Sequence, residues 1–150
     1  MGNICRSPTA QGVFEKLVEE AGLARVIEAD SAGTRAYHIG KSPDKRAVAA
    51  ASGRGYDLTR QRARRIEAAD LTRFDYILAM DHENLREIRE LAAPDYNGKL
   101  GLFMDFARHA PHDEVPDPYY GGGGGFERVL DLVEDAARGL LDHIRRQHRL

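Results

Sequence analysis

The chain has 150 residues and a net charge of −2, with 42% hydrophobic and 31% charged residues. These values predict one globular domain over residues 1–150, and the slight negative charge argues against a general binder of nucleic acid or anionic membrane, which needs a basic face. The one cysteine excludes an internal disulfide and fits a reducing cytoplasm, and no apolar run nears the roughly 20 residues that span a bilayer.

In chain order, the sequence starts Met-Gly-Asn-Ile-Cys-Arg-Ser-Pro. Ser7-Pro8 opens a helix, with serine as the N-cap and proline in the first turn. Val13, Phe14, Leu17 and Val18 recur at helical spacing, and Gly22 stops the run. Arg25 to Ser31 reads as a short strand, and Pro43 to Ser52 as a second helix. Ile66 to Thr72 is a short helix or turn. The bounded apolar run Phe74 to Met80 reads as a buried strand. Glu83 to Ala92 is helical, Leu100 to Phe106 is another strand, and Asp113 to Gly125 is a loop rich in Pro, Tyr and Gly. Phe126 to about His143 is a long amphipathic helix. The alternation implies an α/β fold, a mostly parallel sheet with helices on both faces. One feature is anomalous: the first helix begins with no strand leading into it.

Gly2-Asn3-Ile4-Cys5-Arg6-Ser7 runs straight into a helix start, where unpaired N–H groups and the helix dipole favour an anion. Gly2 and Asn3 tolerate the left-handed backbone of an anion-binding nest. Arg6 adds a planar fork able to hold two phosphate oxygens. On spacing alone, phosphate binding and a plain capping turn remain open alternatives. No His, Cys or Asp cluster has metal-ligand spacing, so neither metal nor cofactor is expected.

The segment GNICRSPTA resembles the phosphate loop of low-molecular-weight protein-tyrosine phosphatases. Ser31-Ala-Gly-Thr34, Phe74-Asp-Tyr-Ile-Leu-Ala-Met-Asp81 and Asp117-Pro-Tyr-Tyr-Gly121 match that family in the same order. The resemblance implies a three-layer fold with a four-stranded parallel sheet in the order 2-1-3-4. The first strand and the nucleophilic cysteine are expected one step before Met1, outside this sequence, either through a misplaced start or through truncation. Because that strand is interior, its two neighbours are expected to carry unpaired backbone groups.

By the same resemblance, Arg6 and residues 2–7 hold the phosphate, and Asp117 is the general acid for a tyrosyl leaving group. Asn3, Ser7 and Ser31 brace the loop, and Tyr37, Tyr119 and Tyr120 line the substrate cleft. Cys5 is the loop's second cysteine and not the nucleophile, since Gln11, not arginine, lies six residues after it. Gln61 stands where relatives carry a bracing histidine, which makes it a weak candidate for the same role. The implied reaction is hydrolysis of phosphotyrosine in a protein or aryl phosphate through a cysteinyl-phosphate intermediate, with the 150-residue chain itself inactive. Ile4 favours an aryl substrate over phosphoarginine. The rival readings are a non-catalytic phosphate-binding remnant and a protein-arginine phosphatase of the same fold.

Overall fold

The computed structural model describes residues 4–92, 99–110, 112–118 and 125–150. Gly2, Asn3, Tyr119 and Tyr120 lie outside them. The elements are α1 (Arg6–Glu20), α2 (Lys45–Ser52), α3 (Asp70–Arg73), β1 (Tyr76–Ala79), α4 (His82–Leu91), β2 (Lys99–Leu102), a 3-10 turn (Phe103–Phe106) and α5 (Gly125–His148).

Helix α1 starts one residue before the expected Ser7 cap. Cys5 is its N-cap, without a side-chain capping bond. The Cys5 carbonyl instead accepts both the Thr9 amide, at 3.2 Å, and the Thr9 hydroxyl, at 2.7 Å. Those bonds already place Ser7 inside the first turn, so its hydroxyl is not at the capping position. At the other end Gly22 takes φ +74°, the left-handed conformation that stops a helix cheaply only at glycine.

The apolar stripe of α1 packs on α5. Val13, Phe14 and Val18 join Val129, Leu130 and Val133 in the main core. Val13, Leu130 and Val133 are almost fully sequestered from solvent, and each contributes about 1.5–3 kcal/mol of burial.

Strands β1 and β2 are parallel, with Tyr76 opposite Lys99 and Ala79 opposite Leu102. Side chains alternate across the sheet. Tyr76 and Leu78 turn to the main core, while Ile77 and Ala79 pack with Leu85 and Ile88 of α4 and with Leu71 of α3. Helices therefore cover both faces, as the alternating pattern predicts.

Two strand assignments need correction. Among the described residues the sheet has two strands, not three of an expected four. The segment from Arg25 to Ser31, expected as a strand, forms none, and just beyond it Gly33 makes an isolated bridge to Arg65. A strand exists by virtue of its ladder, and no described strand runs beside this segment. The second correction shortens the run Leu100 to Phe106: the strand ends at Leu102, and Phe103–Phe106 coils into the 3-10 turn. Short apolar runs do not separate these alternatives by period alone.

That turn presses on α5 at Gly139. A Cβ at this position would lie 1.8 Å from the Phe106 carbonyl oxygen. Alanine favours a helix over glycine by about 1 kcal/mol, but here the obstacle is backbone and cannot swing aside. Gly139→Ala is therefore expected to lose about 2 kcal/mol net and to lower the melting temperature by about 4–8 °C. A melt that rises, as propensity alone predicts, would disprove the close approach.

Candidate active site

The site is built where the carboxyl end of β1 meets the amino end of α1. Parallel strands deliver their carboxyl ends to one edge, where ligands of α/β sheets bind. Three chain segments converge there: the loop Ile4–Ser7, the turn Met80–His82 and the loop Asp113–Pro118.

Arg6 joins them. The residue is buried, only 5% exposed. A single atom, Nη1, donates to Asp81 Oδ2 at 2.7 Å and to the Val115 carbonyl at 2.8 Å. The remaining guanidinium donors have no partner among the described residues. The Val115 amide in turn donates to the Met80 carbonyl at 2.8 Å. Val115 is fully buried, so it anchors the segment that carries Asp117 two residues later.

Asp81 does two tasks. As N-cap of α4 it accepts the Asn84 amide at 2.7 Å, and it accepts Arg6. Burial works against its charge, but the Asn84 amide and the Arg6 guanidinium prevail and hold the carboxyl below the usual carboxylate range. Next to it, the His82 amide donates to Glu114 at 2.8 Å, and the His82 ring meets Asp113 at 2.7 Å. The Asp113 carboxylate pushes the His82 pKa up. The root of the Asp117 loop is thus clamped to the start of α4 at several points.

A second set of contacts fixes the outer side of the loop Ile4–Ser7. The Asp44 amide donates to the Ile4 carbonyl at 2.7 Å, and the Asp44 side chain caps α2 through the Arg46 amide. Arg46 grips the same carboxylate and lies over the Phe126 ring, 4.8 Å from its centroid.

Cys5 is buried. Burial first, then the carboxylates of Asp44 and Asp117, push its thiol up to about 12. A thiol raised this far is held protonated near neutral pH. The same coupling shows that the Asp117 charge reaches the loop, although Asp117 itself is exposed between exposed Pro116 and buried Pro118.

Of the residues expected to brace the loop, Ser31 and Gln61 share a network with Gln11. The Ser31 hydroxyl donates to Gln11 at 2.6 Å and lies 3.4 Å from the Gln61 side-chain oxygen, while the Gln61 amide donates to the Pro8 carbonyl at 2.9 Å. Gln61 thus steadies the first turn of α1 as a neutral group. Ser7 is half-buried at the loop's end. Tyr37 is 68% exposed and stacks edge-on with His38.

Sequence reasoning quoted Asp81 within a motif but gave it no role, and it missed Val115 and Asp44. The available signal was positional. Asp44 and Asp81 each stand immediately before a helical pattern, where an N-cap carboxylate is expected. Among the described residues no group of three or more His, Cys, Asp or Glu is arranged to hold a metal ion, and no helix is long and apolar enough to cross a membrane.

An α/β scaffold with an arginine-armed loop at a helix start and an aspartate loop anchored beside it defines a class of phosphate-handling proteins. The sequence profile of the low molecular weight phosphotyrosine protein phosphatases matches residues 1–150. A low molecular weight protein-tyrosine-phosphatase of Streptomyces coelicolor is 43% identical over 97% of this chain and 90% of its own length. The crystal structure of a protein tyrosine phosphatase from Entamoeba histolytica, with Hepes in its active site, superposes with a TM-score of 0.94 at 39% identity, covering 100% of this chain and 95% of the other. The Drosophila arginine phosphatase superposes with a TM-score of 0.89 at 32% identity, covering 98% and 94%. The chain belongs to the low molecular weight phosphotyrosine protein phosphatase family.

The depressed pKa of Asp81 carries a sign. A carboxyl held low in the fold adds stability above its unfolded pKa of about 3.9, and that stability is lost as pH falls through the lower folded value. Asp81→Asn removes this contribution and leaves the Arg6 charge poorly matched in a buried site, at a cost of about 3 kcal/mol near neutrality. The difference in unfolding free energy between wild type and Asp81→Asn is expected to shrink below about pH 4. A difference that stays constant down to pH 2 would show that Asp81 is not tied to Arg6.

Proposed function

We propose that this fold hydrolyses protein phosphotyrosine through a cysteinyl phosphate, and that the 150 residues supply the phosphate grip and the acid but not the attacking thiol. The observation that carries this reading is the convergence of Arg6 and the Asp117 loop on one end of the sheet.

The roles follow from the chemistry. The main-chain amides of residues 2–7 and the prongs of Arg6 other than Nη1 would surround the equatorial oxygens, where negative charge accumulates during transfer. Asp117, on its clamped loop, would give a proton to the departing tyrosyl oxygen, and as a carboxylate it would then draw a proton from the water that attacks the phosphoenzyme. Tyr37, Tyr119 and Tyr120 would flank the ring of the substrate. Ser7 and Ser31, with Asn3, would keep the loop in shape. Cys5 is the one cysteine in the sequence, and its raised pKa and burial argue against it as the attacking group.

The arginine phosphatase likeness supports a second reading, phosphoarginine hydrolysis. Ile4 at the loop favours the aryl ester, because its half-buried apolar side chain packs beside the core and offers a phosphoguanidinium no hydrogen bond.

Calorimetric titration tests these readings on the 150-residue chain. Orthophosphate and a phosphotyrosine peptide are expected to bind, and the phosphotyrosine peptide more tightly than a phosphoarginine peptide. Arg6→Lys is expected to weaken both by at least about tenfold, because one ammonium replaces charge-assisted bonds worth about 1.5–3 kcal/mol each. Mass spectrometry after incubation with an aryl phosphate is expected to find no phosphate on Cys5. Phosphocysteine at Cys5, or tighter binding of phosphoarginine, would overturn the corresponding part of the proposal.

A further inference from the structure

Asp117 is exposed, yet it lies between two anchors. Before it, Val115 is fully buried and its carbonyl accepts Arg6 at 2.8 Å. After it, Pro118 is buried. The backbone of Gly125, the first residue of α5, rests on Pro118, so that a Cβ at Gly125 would stand 3.3 Å from the Pro118 Cβ. The first anchor is set by Arg6. The second depends on what fixes the start of α5.

That start is held by Arg46. Phe126 follows Gly125 and is buried in the main core. Its ring carries the Arg46 guanidinium, 4.8 Å from the centroid. The edge of the same guanidinium faces Asp44, with Nε 3.1 Å from Oδ1 and Nη2 3.0 Å from Oδ2. Asp44 in turn donates its amide to the Ile4 carbonyl at 2.7 Å. A continuous series of contacts therefore runs from the loop Ile4–Ser7 through Asp44, Arg46 and Phe126 to Pro118. Only arginine suits its middle position, because a flat cation can bond a carboxylate with its edge while its face lies on a ring. The charges confirm that these groups surround one loop. After burial, which acts most, the carboxylates of Asp44 and Asp117 raise the Cys5 pKa and Arg46 lowers it.

We propose that Arg46 is a positioning residue for the proton donor: by pinning Phe126 to Asp44 it fixes the start of α5, and through it Pro118 and Asp117, relative to the loop Ile4–Ser7. The proposal rests on the reading of Asp117 as the acid that faces the bound phosphate. Arg46 acts here through geometry and not as a ligand of the substrate. With the pin removed, Pro118 loses its fixed support, and the Asp117 carboxylate spends less time beside the anion.

The test reads the coupling between Asp117 and bound orthophosphate by calorimetric titration of the 150-residue chain. The coupling is the ratio of affinities with and without Asp117→Asn, and it exceeds one when the carboxylate stands beside the anion. It is measured in the otherwise native chain, in Arg46→Lys and in Phe126→Leu. Arg46→Lys keeps the charge but cannot serve carboxylate and ring together. Phe126→Leu keeps the apolar burial and leaves every charge in place. In each variant the gain from Asp117→Asn is expected to fall to less than about half of its native size, since charge repulsion weakens with distance. A merely structural role would change the melting temperature and scale both affinities alike, leaving the ratio as it was. Should one variant fail to fold, the other reads the same coupling. A native ratio above one that is unchanged in either folded variant would overturn the proposal and leave the reading of Asp117 standing. A ratio of one in the native chain would overturn that reading, and the proposal with it.

Discussion

Arg6 carries a full charge into a site that is almost closed to water. A buried guanidinium survives only when paired and hydrogen-bonded, and stripping one partner from such a pair costs several kcal/mol. Here the partners come from 75 and 109 residues further along the chain. One atom thereby ties the amino end of α1 to the end of β1 and to the loop that holds Asp117. The register of those three segments is set by an electrostatic requirement, and the apolar cores on either side of the sheet fill in around it.

The same contact shapes the chemistry of the site. Nη1 is occupied by Asp81 and Val115, while the other prongs of the fork have no partner among the described residues. A phosphate dianion arriving at residues 4–7 would meet a guanidinium already oriented, with its charge only partly compensated by Asp81. Pre-orientation spares the anion the cost of ordering a long side chain. The contact with the Val115 carbonyl couples that arginine to the loop that holds Asp117, so in the proposed mechanism the grip on phosphate and the position of the proton donor would both depend on one side chain. Cys5 sits in the same loop in the opposite condition, buried, neutral and crowded by carboxylates.

Much of this was legible in the sequence, and the exceptions have physical causes. The α5 stripe, the apolar run of β1 and the glycine stop at Gly22 are local patterns, and the structure follows them. The loop before α1 declared itself through residue types that serve only a few purposes together. Arg25 to Ser31 is not a strand because strand identity depends on a neighbour, which no local pattern encodes. Phe103–Phe106 coils because its contact with Gly139 on α5, distant in sequence, decides between two periods that a short apolar run leaves equal. Asp81 was invisible as a site residue because a carboxylate before a helix is an ordinary cap; its second bond, to Arg6, is purely tertiary. Gln61 was legible as a departure from the family, but its actual partner, the Pro8 carbonyl, was not.

The account turns on Asp117 and Arg6 facing the same bound dianion. Orthophosphate titration of Asp117→Asn at pH 7.5 and low salt tests this most directly, because the exchange deletes one negative charge and little volume. If Asp117 stands beside the phosphate, affinity should rise by about fivefold, the order expected for unit charges several ångströms apart near a protein surface, and the gain should shrink as salt is added. An affinity unchanged by the substitution at every salt concentration would contradict the account.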